Sequence, residues 1–341
     1  MIHAIPIQKA VGCVLAHDIT RIVPGREKGP AFKKGHIIRE EEIPEFLKIG
    51  KEHIYVLDLA PGMLHENEAA ERMSRAAAGF GIRLTAPSEG RVNLVAAING
   101  LLVVNVEALT RINSIANIVF ATLHSHQQVY VDQPLAGTRV VPLVIDEGPI
   151  RRVEQICAES RPVVQVKPFR SCRVGIVTTG SEVYHGRIQD AFGPVVGKKF
   201  KMLGSQVMRQ ILVSDDRQMT VNAIRELIAE GAEMVMVTGG MSVDPDDQTP
   251  ASIRAAGGNV ITYGAPVFPG AMFMLAYIGD VPVAGLPGCV MYYRTSIFDL
   301  VIPRLLAGEG VTRDTIAAMG HGGFCSGCPA CRYPQCAFGK G

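Results

Sequence analysis

The sequence predicts an α/β protein whose C-terminal half is built on a mainly parallel sheet, preceded by a smaller α+β N-terminal region. Three observations carry that reading. Residues 171–308 alternate short Val- and Ile-rich runs with amphipathic segments, the pattern of strands buried on both faces and joined by helices. The loops after those apolar runs collect glycines, hydroxyls and carboxylates, and ligands of such sheets bind beyond the carboxyl ends of the strands. Residues 1–150 lack the alternation.

In chain order, residues 1–60 read as a small β-rich domain. Lys33-Lys-Gly35 is a turn, 40–50 a helix with acids in its first turn and a glycine stop, and 53–57 a strand. Residues 61–150 read as an α+β domain. It has a helix over 67–79, a hairpin over 92–106 turning at Asn99-Gly100, a helix over 109–120 and β structure over 129–145 bent at Gly137. Residues 151–170 read as a linker, a helix ending near 159 and then an extended run to Pro168. In 171–308 strands are expected at 173–177, 207–213, 233–237, 259–262, 272–277 and 282–284. Helices are expected at 194–203, 221–228, 249–256 and 291–306. A Cys-rich tail occupies 321–341.

Composition narrows the function classes. The 341 residues are 48% hydrophobic and 19% charged, ample for a large core. Lys plus Arg number 34 against 32 Asp plus Glu, a net charge of +2. That balance does not favour nucleic acid or an anionic membrane as the main partner. The longest apolar stretch, 92–106, is broken by Asn93, Asn99, Gly100 and Asn105 and is too short to span a bilayer. The N-terminus has neither a basic segment nor a continuous apolar one, so a cytoplasmic location is expected. Eight cysteines, four of them in the last seventeen residues, read as a reduced compartment plus a terminal metal or redox site.

The most informative stretch is Val235-Met-Val-Thr-Gly-Gly-Met-Ser-Val-Asp-Pro-Asp-Asp-Gln-Thr-Pro250. An apolar run stops at Gly239-Gly240, Ser242 follows, then Asp244, Asp246 and Asp247, and Thr249-Pro250 opens an amphipathic segment. Glycines admit a ligand to the backbone, and a helix start attracts anions. The carboxylates would repel a bare anion, so a divalent cation or proton transfer is implied beside it. Asp215-Asp216 also follows a strand. If the two strands are neighbours, their carboxylates face one pocket and can hold Mg2+ around a phosphate or act as acid and base; otherwise Ser214-Asp-Asp216 caps the helix after it. Thr178-Thr-Gly-Ser-Glu182 offers hydroxyls and free N–H groups, or an ordinary β-turn. Leu286-Pro-Gly288 is a turn at a fourth strand end, and Cys289 beside it is a nucleophile, a soft ligand or a small structural residue. His124-Ser-His126 offers two ligands on one strand face or ordinary packing, and Lys198 is a solvated cation within possible reach of a phosphate.

Together these pieces resemble the molybdopterin-binding (MoaB/Mog) domain of molybdenum cofactor biosynthesis. Val177-Thr-Thr-Gly-Ser-Glu182, Ser214-Asp-Asp216, Thr238-Gly-Gly-Met-Ser-Val243, Asp247-Gln-Thr-Pro250 and Leu286-Pro-Gly288 come in the family's order. The Gly-Gly-x-Ser form, Val267-Phe-Pro-Gly270 and the Leu-Pro-Gly turn are closer to the molybdenumtransferase branch, and Asp-x-Thr-Pro is similar to the adenylyltransferase branch. Val11-Gly-Cys-Val-Leu-Ala-His-Asp18 resembles the transferase N-terminal half only loosely.

The resemblance implies a three-layer α/β/α domain that takes molybdopterin or adenylyl-molybdopterin as ligand, with molybdate as co-substrate. Homo-oligomers and a client molybdoenzyme are the partners it implies. By analogy Asp247 with Asp215 or Asp216 binds Mg2+ or activates a reacting group. Gly239, Gly240 and Ser242 receive the phosphate or pterin, and Thr179, Gly180, Ser181, Glu182, Thr238, Pro287 and Gly288 complete the pocket. The reaction expected is Mg-dependent transfer of molybdate. The alternatives are adenylylation of molybdopterin, or a non-catalytic carrier with a redox- or metal-sensing tail. Three departures bear on this. Leu286-Pro-Gly-Cys-Val290 replaces the family's Leu-Pro-Gly-Asn-Pro, Pro269-Gly-Ala-Met272 lacks the lysine of Pro-Gly-Lys-Pro, and the Ser-x-Met-Asp-Gly-Tyr-Ala element is missing.

The tail, Cys325-Ser-Gly-Cys-Pro-Ala-Cys-Arg-Tyr-Pro-Gln-Cys336, has the spacing C-x2-C-x2-C-x4-C. That is near the bacterial ferredoxin run, which ends x3-C-P, so Cys325, Cys328, Cys331 and Cys336 suit a [4Fe–4S] cluster. The same four suit tetrahedral Zn2+, with His321 as a spare ligand. A metal-free, redox-active tail is the third reading.

Overall fold

The computed structural model describes residues 2–23, 27–57, 61–160, 162–242, 244 and 247–341. The chain forms two compact units. The first comprises 1–98, 102–123 and 130–166; the second comprises 99–101, 124–129 and 167–341.

In the first unit, strands Ile2–Pro6 and His53–Leu57 pair antiparallel, as do Ile19–Val23 and Glu27–Phe32. A small core of Ile7, Leu15, Ile19, Ile38, Phe46 and Ile54 lies among them, with the Phe32 ring stacked on Phe46 at 4.0 Å. The helix Glu66–Ala77 packs on a sheet ordered Ile82–Leu84, Arg91–Ala96, Pro134–Val140, Ile118–Thr122. Its small residues admit Thr138, whose hydroxyl donates to the Ala70 carbonyl at 3.1 Å and lies 2.6 Å from the Ser74 hydroxyl. A second helix, Glu147–Glu159, lies beside the first, and Arg72 reaches Glu147 and Glu154 at 2.8 Å.

Several sequence expectations are corrected over residues 91–137. Arg91–Ala96 and Gly100–Val104 are not a hairpin, because they enter different sheets. The first is flanked by Ile82–Leu84 and Pro134–Val140, the second by Gln128–Val129 and Val164–Lys167. Nor does the helix begun at Val106 run to Phe120. It stops at Asn113, the chain reverses through Asn117 at φ 66°, and Ile118–Thr122 is an edge strand. The Asn113 amide stands in for a further strand. It donates to the Phe120 carbonyl and accepts from the Phe120 N–H, both at 2.8 Å. Gly137 is no bend but a strand residue paired on both sides.

In the second unit the strands are β1 Arg173–Thr179, β2 Gln206–Val213, β3 Met234–Thr238, β4 Asn259–Tyr263, β5 Met274–Ile278 and β6 Val281–Leu286. They form one sheet in the order β2-β1-β3-β6-β5-β4. The first four in that order are parallel, and β5 is antiparallel to both of its neighbours, β6 and β4. The helices are α1 Ser181–Tyr184, α2 Phe192–Met202, α3 Arg217–Ala229, α4 Thr249–Ala255, α5 Cys289–Tyr292, α6 Ile297–Leu306 and α7 Arg313–Ala318.

Period-two alternation along the strands builds two cores, one per sheet face. Val174 and Ile176 join Val196 and Phe200 of α2 and Phe298, Val301 and Ile302 of α6. Val177 and Val235 join Val221, Ile224 and Leu227 of α3 and Ile253 of α4. The sheet is therefore mainly parallel and covered on both faces, as expected. The helix expected over 291–306 is broken. Ser296 and Asp299 form a capping box that starts α6 afresh, with the Ser296 N–H donating to Asp299 Oδ2 at 2.9 Å. The Lys199 ammonium sits 2.8 Å from the same carboxylate. Burial pushes the Asp299 carboxyl up, and Lys199 pulls it back down.

The tail belongs to this core. Phe338 is 4% exposed, and Tyr333, Cys325 and Cys336 pack against the cluster around α6. The Tyr333 hydroxyl donates to the Asp299 carbonyl at 3.3 Å, and Cys325 N–H donates to the Phe268 carbonyl at 2.8 Å. Phe338→Ala should therefore cost about 3 kcal/mol, read as a lower urea midpoint. No change in that midpoint would show the tail to be a detachable appendage.

His124-Ser-His126 lies in a turn rather than on a strand face. His126 Nε2 is 3.8 Å from Glu309, whose other oxygen sits 2.6 Å from Lys167. Burial, then the Arg304 charge, lowers His126 to about 4. Its ordinary value is about 6.5, so the folded chain binds fewer protons here than the unfolded one. This contribution to stability is whole above about pH 6.5 and is lost as pH falls through about 4. His126→Gln should shrink the drop in urea midpoint between about pH 7 and 4.5; an unchanged drop would sink the assignment.

Candidate functional site

The register of the parallel strands puts four loops at one level. Leu212 of β2 lies opposite Thr178 of β1, Thr178 opposite Thr238 of β3, and Thr238 opposite Leu286 of β6. Just beyond that line come Gly180–Glu182, Ser214–Asp216, Gly239–Ser242 and Pro287-Gly288. The strands leading to Asp215-Asp216 and to Gly239-Gly240 are not neighbours, because β1 lies between them. The loop 180–182 therefore separates the two acidic groups along the sheet edge.

The floor of this edge is a chain of polar side chains under the backbone. Thr238 donates to the Thr178 hydroxyl at 3.1 Å, and Gln210 Nε2 reaches Thr178 Oγ1 at 2.9 Å and Asp190 at 2.6 Å. Asp190 in turn accepts the N–H groups of Phe192 and Gly193, both at 2.9 Å, at the start of α2. Sequence reasoning missed Asp190 and Gln210. Their only local signals are an acid two positions before a helix start and a polar side chain within a mostly apolar strand.

Thr179 differs from its neighbour. Its side chain is buried, at 7% exposure, and its hydroxyl has no hydrogen-bond partner among the described residues. A buried hydroxyl left unpaired costs about 1–3 kcal/mol. It faces the double glycine. A Cβ on Gly239 would lie 2.6 Å from Thr179 Oγ1 and 2.2 Å from its carbonyl oxygen, and one on Gly240 would lie 3.3 Å from that hydroxyl. Both glycines have positive φ, 85° and 55°. Side chains are thus excluded here by conformation and by space, which leaves glycine backbone packed against the buried, unpaired Thr179 hydroxyl. Thr249 fastens the loop, donating its hydroxyl to the Gly239 carbonyl at 2.8 Å.

The carboxylates are arranged as follows. Asp215 accepts the Ser181 N–H at 2.8 Å, and the Ser181 and Ser214 hydroxyls are 2.8 Å apart, so loops 180–182 and 214–216 are tied together. Asp216 accepts the Met219 N–H at 2.7 Å and caps α3. Asp247 Oδ2 accepts the Asp244 N–H at 3.1 Å, and the Asp247 N–H returns to the Asp244 carbonyl at 3.0 Å. Asp246 lies outside the described residues. Ser242, Glu182 and Gly288 are exposed, while Gly180, Thr238 and Pro287 are buried. Lys198, the candidate cation, is exposed, while its neighbour Lys199 is committed to Asp299 and to the Arg294 carbonyl. Burial raises the Cys289 thiol, which disfavours a thiolate nucleophile.

Among the described residues no three His, Cys, Asp or Glu side chains converge to hold a metal ion. The tail thiols are spread. Cys331 lies 3.4 Å from the Thr295 hydroxyl, Cys328 is exposed 3.8 Å from the Ser326 hydroxyl, and Cys325 and Cys336 pack on the core. As folded, they do not form the tetrahedral set that Zn2+ or a cluster takes. The spacing of the run suits a metal; in the fold, Phe338 joins the core and Tyr333, Cys325 and Cys336 pack against it.

Comparison with known proteins bears on residues 175–307, which match a family described as "Probable molybdopterin binding domain". Residues 4–58 match a "Domain of unknown function (DUF8806)". A CinA-like protein of Mycobacterium sp. (strain MCS) is 38% identical over 84 residues, 24% of this chain and 20% of that protein. A CinA-like protein of Mycobacterium avium (strain 104) is 38% identical over 80 residues, 23% of this chain and 18% of that protein. The chain thus spans about a fifth of the length of these curated relatives. Similar solved structures include the molybdopterin biosynthesis enzyme MoaB of Thermus thermophilus, with 19% identity over 40% of this chain and 98% of that one, at TM-score 0.32. The tungsten cofactor synthesizing protein MoaB of Pyrococcus furiosus has 20% identity over 42% and 98%, at TM-score 0.34. Residues 175–307 therefore carry a domain that matches the molybdopterin-binding family model, over less than half of the chain.

Proposed function

We propose that residues 171–308 bind molybdopterin or adenylyl-molybdopterin across the carboxyl edge of the parallel sheet and serve the transfer of molybdate to it. The observation that carries the reading is the pairing of the unsatisfied Thr179 hydroxyl with the side-chain-free surface of Gly239-Gly240. A buried hydroxyl without a partner is retained where a ligand supplies one. The positive-φ glycines let the ligand reach the backbone beside it. Phosphoryl-type chemistry depends mainly on positioning and on neutralising charge.

Asp247 is the proposed Mg2+ residue, because Asp215 lies across loop 180–182 from it and is held by the Ser181 N–H. A single carboxylate fits a Mg2+ ion shared with the ligand's phosphates rather than one caged by protein alone. When bound, the ion would offset the repulsion between phosphate and the acidic rim. The chain's own residues do the remaining work. Asp215 holds the Ser181 N–H, the Asp244–Asp247 pair holds the loop after the glycines, and Thr249 fixes that loop to the helix behind it.

A second reading, a carrier without turnover, is favoured by one specific feature. Pro269-Gly-Ala-Met272 has no lysine, and the nearby Lys199 is bound to Asp299. Neither position then offers a free cation for molybdate.

Thr179→Val tests the binding reading. It removes a hydroxyl that the fold does not use, so thermal stability should hold or rise. Affinity for molybdopterin, measured by titration calorimetry, should fall about tenfold. Unchanged affinity would reject the proposed pocket. Asp247→Asn separates the two readings, because it keeps an acceptor for the Asp244 amide and removes the charge. Under the transferase reading Mg-dependent product formation falls by about two orders of magnitude or more, with molybdopterin still bound. Wild-type protein that binds molybdopterin and forms no product would establish the carrier.

A further inference from the structure

The sheet of the first unit has a second face that the helix Glu66–Ala77 does not cover. Strand alternation assigns the residues. Thr138 points to the helix, and its register partners Val92 and Phe120 share that side. Arg91, Asn93, Val119, Ala121, Gly137 and Arg139 therefore share the opposite side. They line a cavity of about 360 Å3, within the size range of small-molecule sites. Gly137 sits in the middle strand with extended neighbours on both sides. Its missing side chain opens the floor, and the nearest atom to a Cβ there is Asn93 Oδ1 at 3.3 Å.

The charge pattern is unusual for a strand pair. Arg139 lies directly opposite Arg91 in the register, and like charges so placed repel. One of them is answered. Arg139 approaches Glu66 at 3.9 Å and donates to the Val140 carbonyl at 3.4 Å. Arg91 is exposed and has no acidic partner among the described residues. Arg91 thus stands without a counter-charge among the described residues, at the rim of a cavity whose floor is Gly137, Ala121 and Val119, with the Asn93 amide beside it. Val119 is 40% exposed, an apolar side chain held open to solvent on this face.

We propose that this cavity binds a small organic anion. Its carboxylate, sulfonate or phosphate meets Arg91 and Asn93, and its flat apolar body lies over Gly137 between Val119 and Ala121. A guanidinium offers the forked donors that such oxyanions accept, and a flat body suits a sheet face with no side chain at its centre. The site lies wholly within the first unit and is independent of the pocket proposed for residues 171–308.

The probe is 8-anilinonaphthalene-1-sulfonate, titrated by fluorescence into the full chain, with the uncharged N-phenyl-1-naphthylamine as its counterpart. Wild type should give a saturable component for the sulfonate. Arg91→Ala should weaken it about tenfold or more and leave the uncharged probe unaffected. Gly137→Val, which a strand tolerates and which fills the floor, should remove binding of both probes. Thermal melts confirm that each variant is folded, and Arg91, being exposed, can be removed without opening a core. A sulfonate titration of Arg91→Ala that superimposes on wild type would overturn the proposal. So would loss of the uncharged probe in that variant, or the absence of a saturable component in wild type.

Discussion

Parallel pairing of β2, β1, β3 and β6 is the constraint on which the candidate site depends. Backbone hydrogen bonds set Leu212, Thr178, Thr238 and Leu286 in one row. Because each strand stops within a residue or two of that row, four loops distant in sequence open at one edge. The cores on the two faces hold the row in place. Alternate residues of each strand are committed to α2 and α6 on one side and to α3 and α4 on the other, so a one-residue slip would turn both sets outward.

Polar groups at that edge divide into those the fold consumes and those it leaves. Thr178, Gln210 and Asp190 satisfy one another and the start of α2. Asp216 caps α3, and Asp215 and Asp247 hold loop amides. Thr179, one residue along from Thr178, has no partner among the described residues. Two adjacent threonines thus take opposite roles because successive strand residues face opposite sides. The same alternation operates in the first unit, where Thr138 serves the helix and Gly137 and Arg139 face the open side.

The terminal cysteine run illustrates a conflict between local spacing and packing. Its spacing suits metal ligation, yet Tyr333 and Phe338 are aromatic side chains worth burying, and they take the segment into the core around α6. With Cys325 tied to Phe268 and Cys331 beside Thr295, the thiols are set by what their neighbours bury rather than by one another. Asp299 ties this region together, since its carboxylate holds Lys199 and the start of α6 while its carbonyl receives the Tyr333 hydroxyl.

What the sequence by itself determined was local and periodic. The apolar runs gave the strands of 171–308, and the glycines and cap residues gave most helix ends. The order of Thr-Gly-Ser-Glu, Gly-Gly-x-Ser and Asp-x-Thr-Pro pieces gave the domain family. These are legible because each depends on residues a few positions apart. Only the tertiary structure decided which strands are neighbours. It placed β1 between the two acidic loops and sent 91–96 and 100–104 into different sheets. It also decided which hydroxyls and carboxylates remain free, and that two arginines far apart in sequence stand opposite each other. The physical reason is the same in each case. A hydrogen bond or a like-charge contact across strands depends on register and partner choice, which are fixed when a face of the sheet is buried and not before.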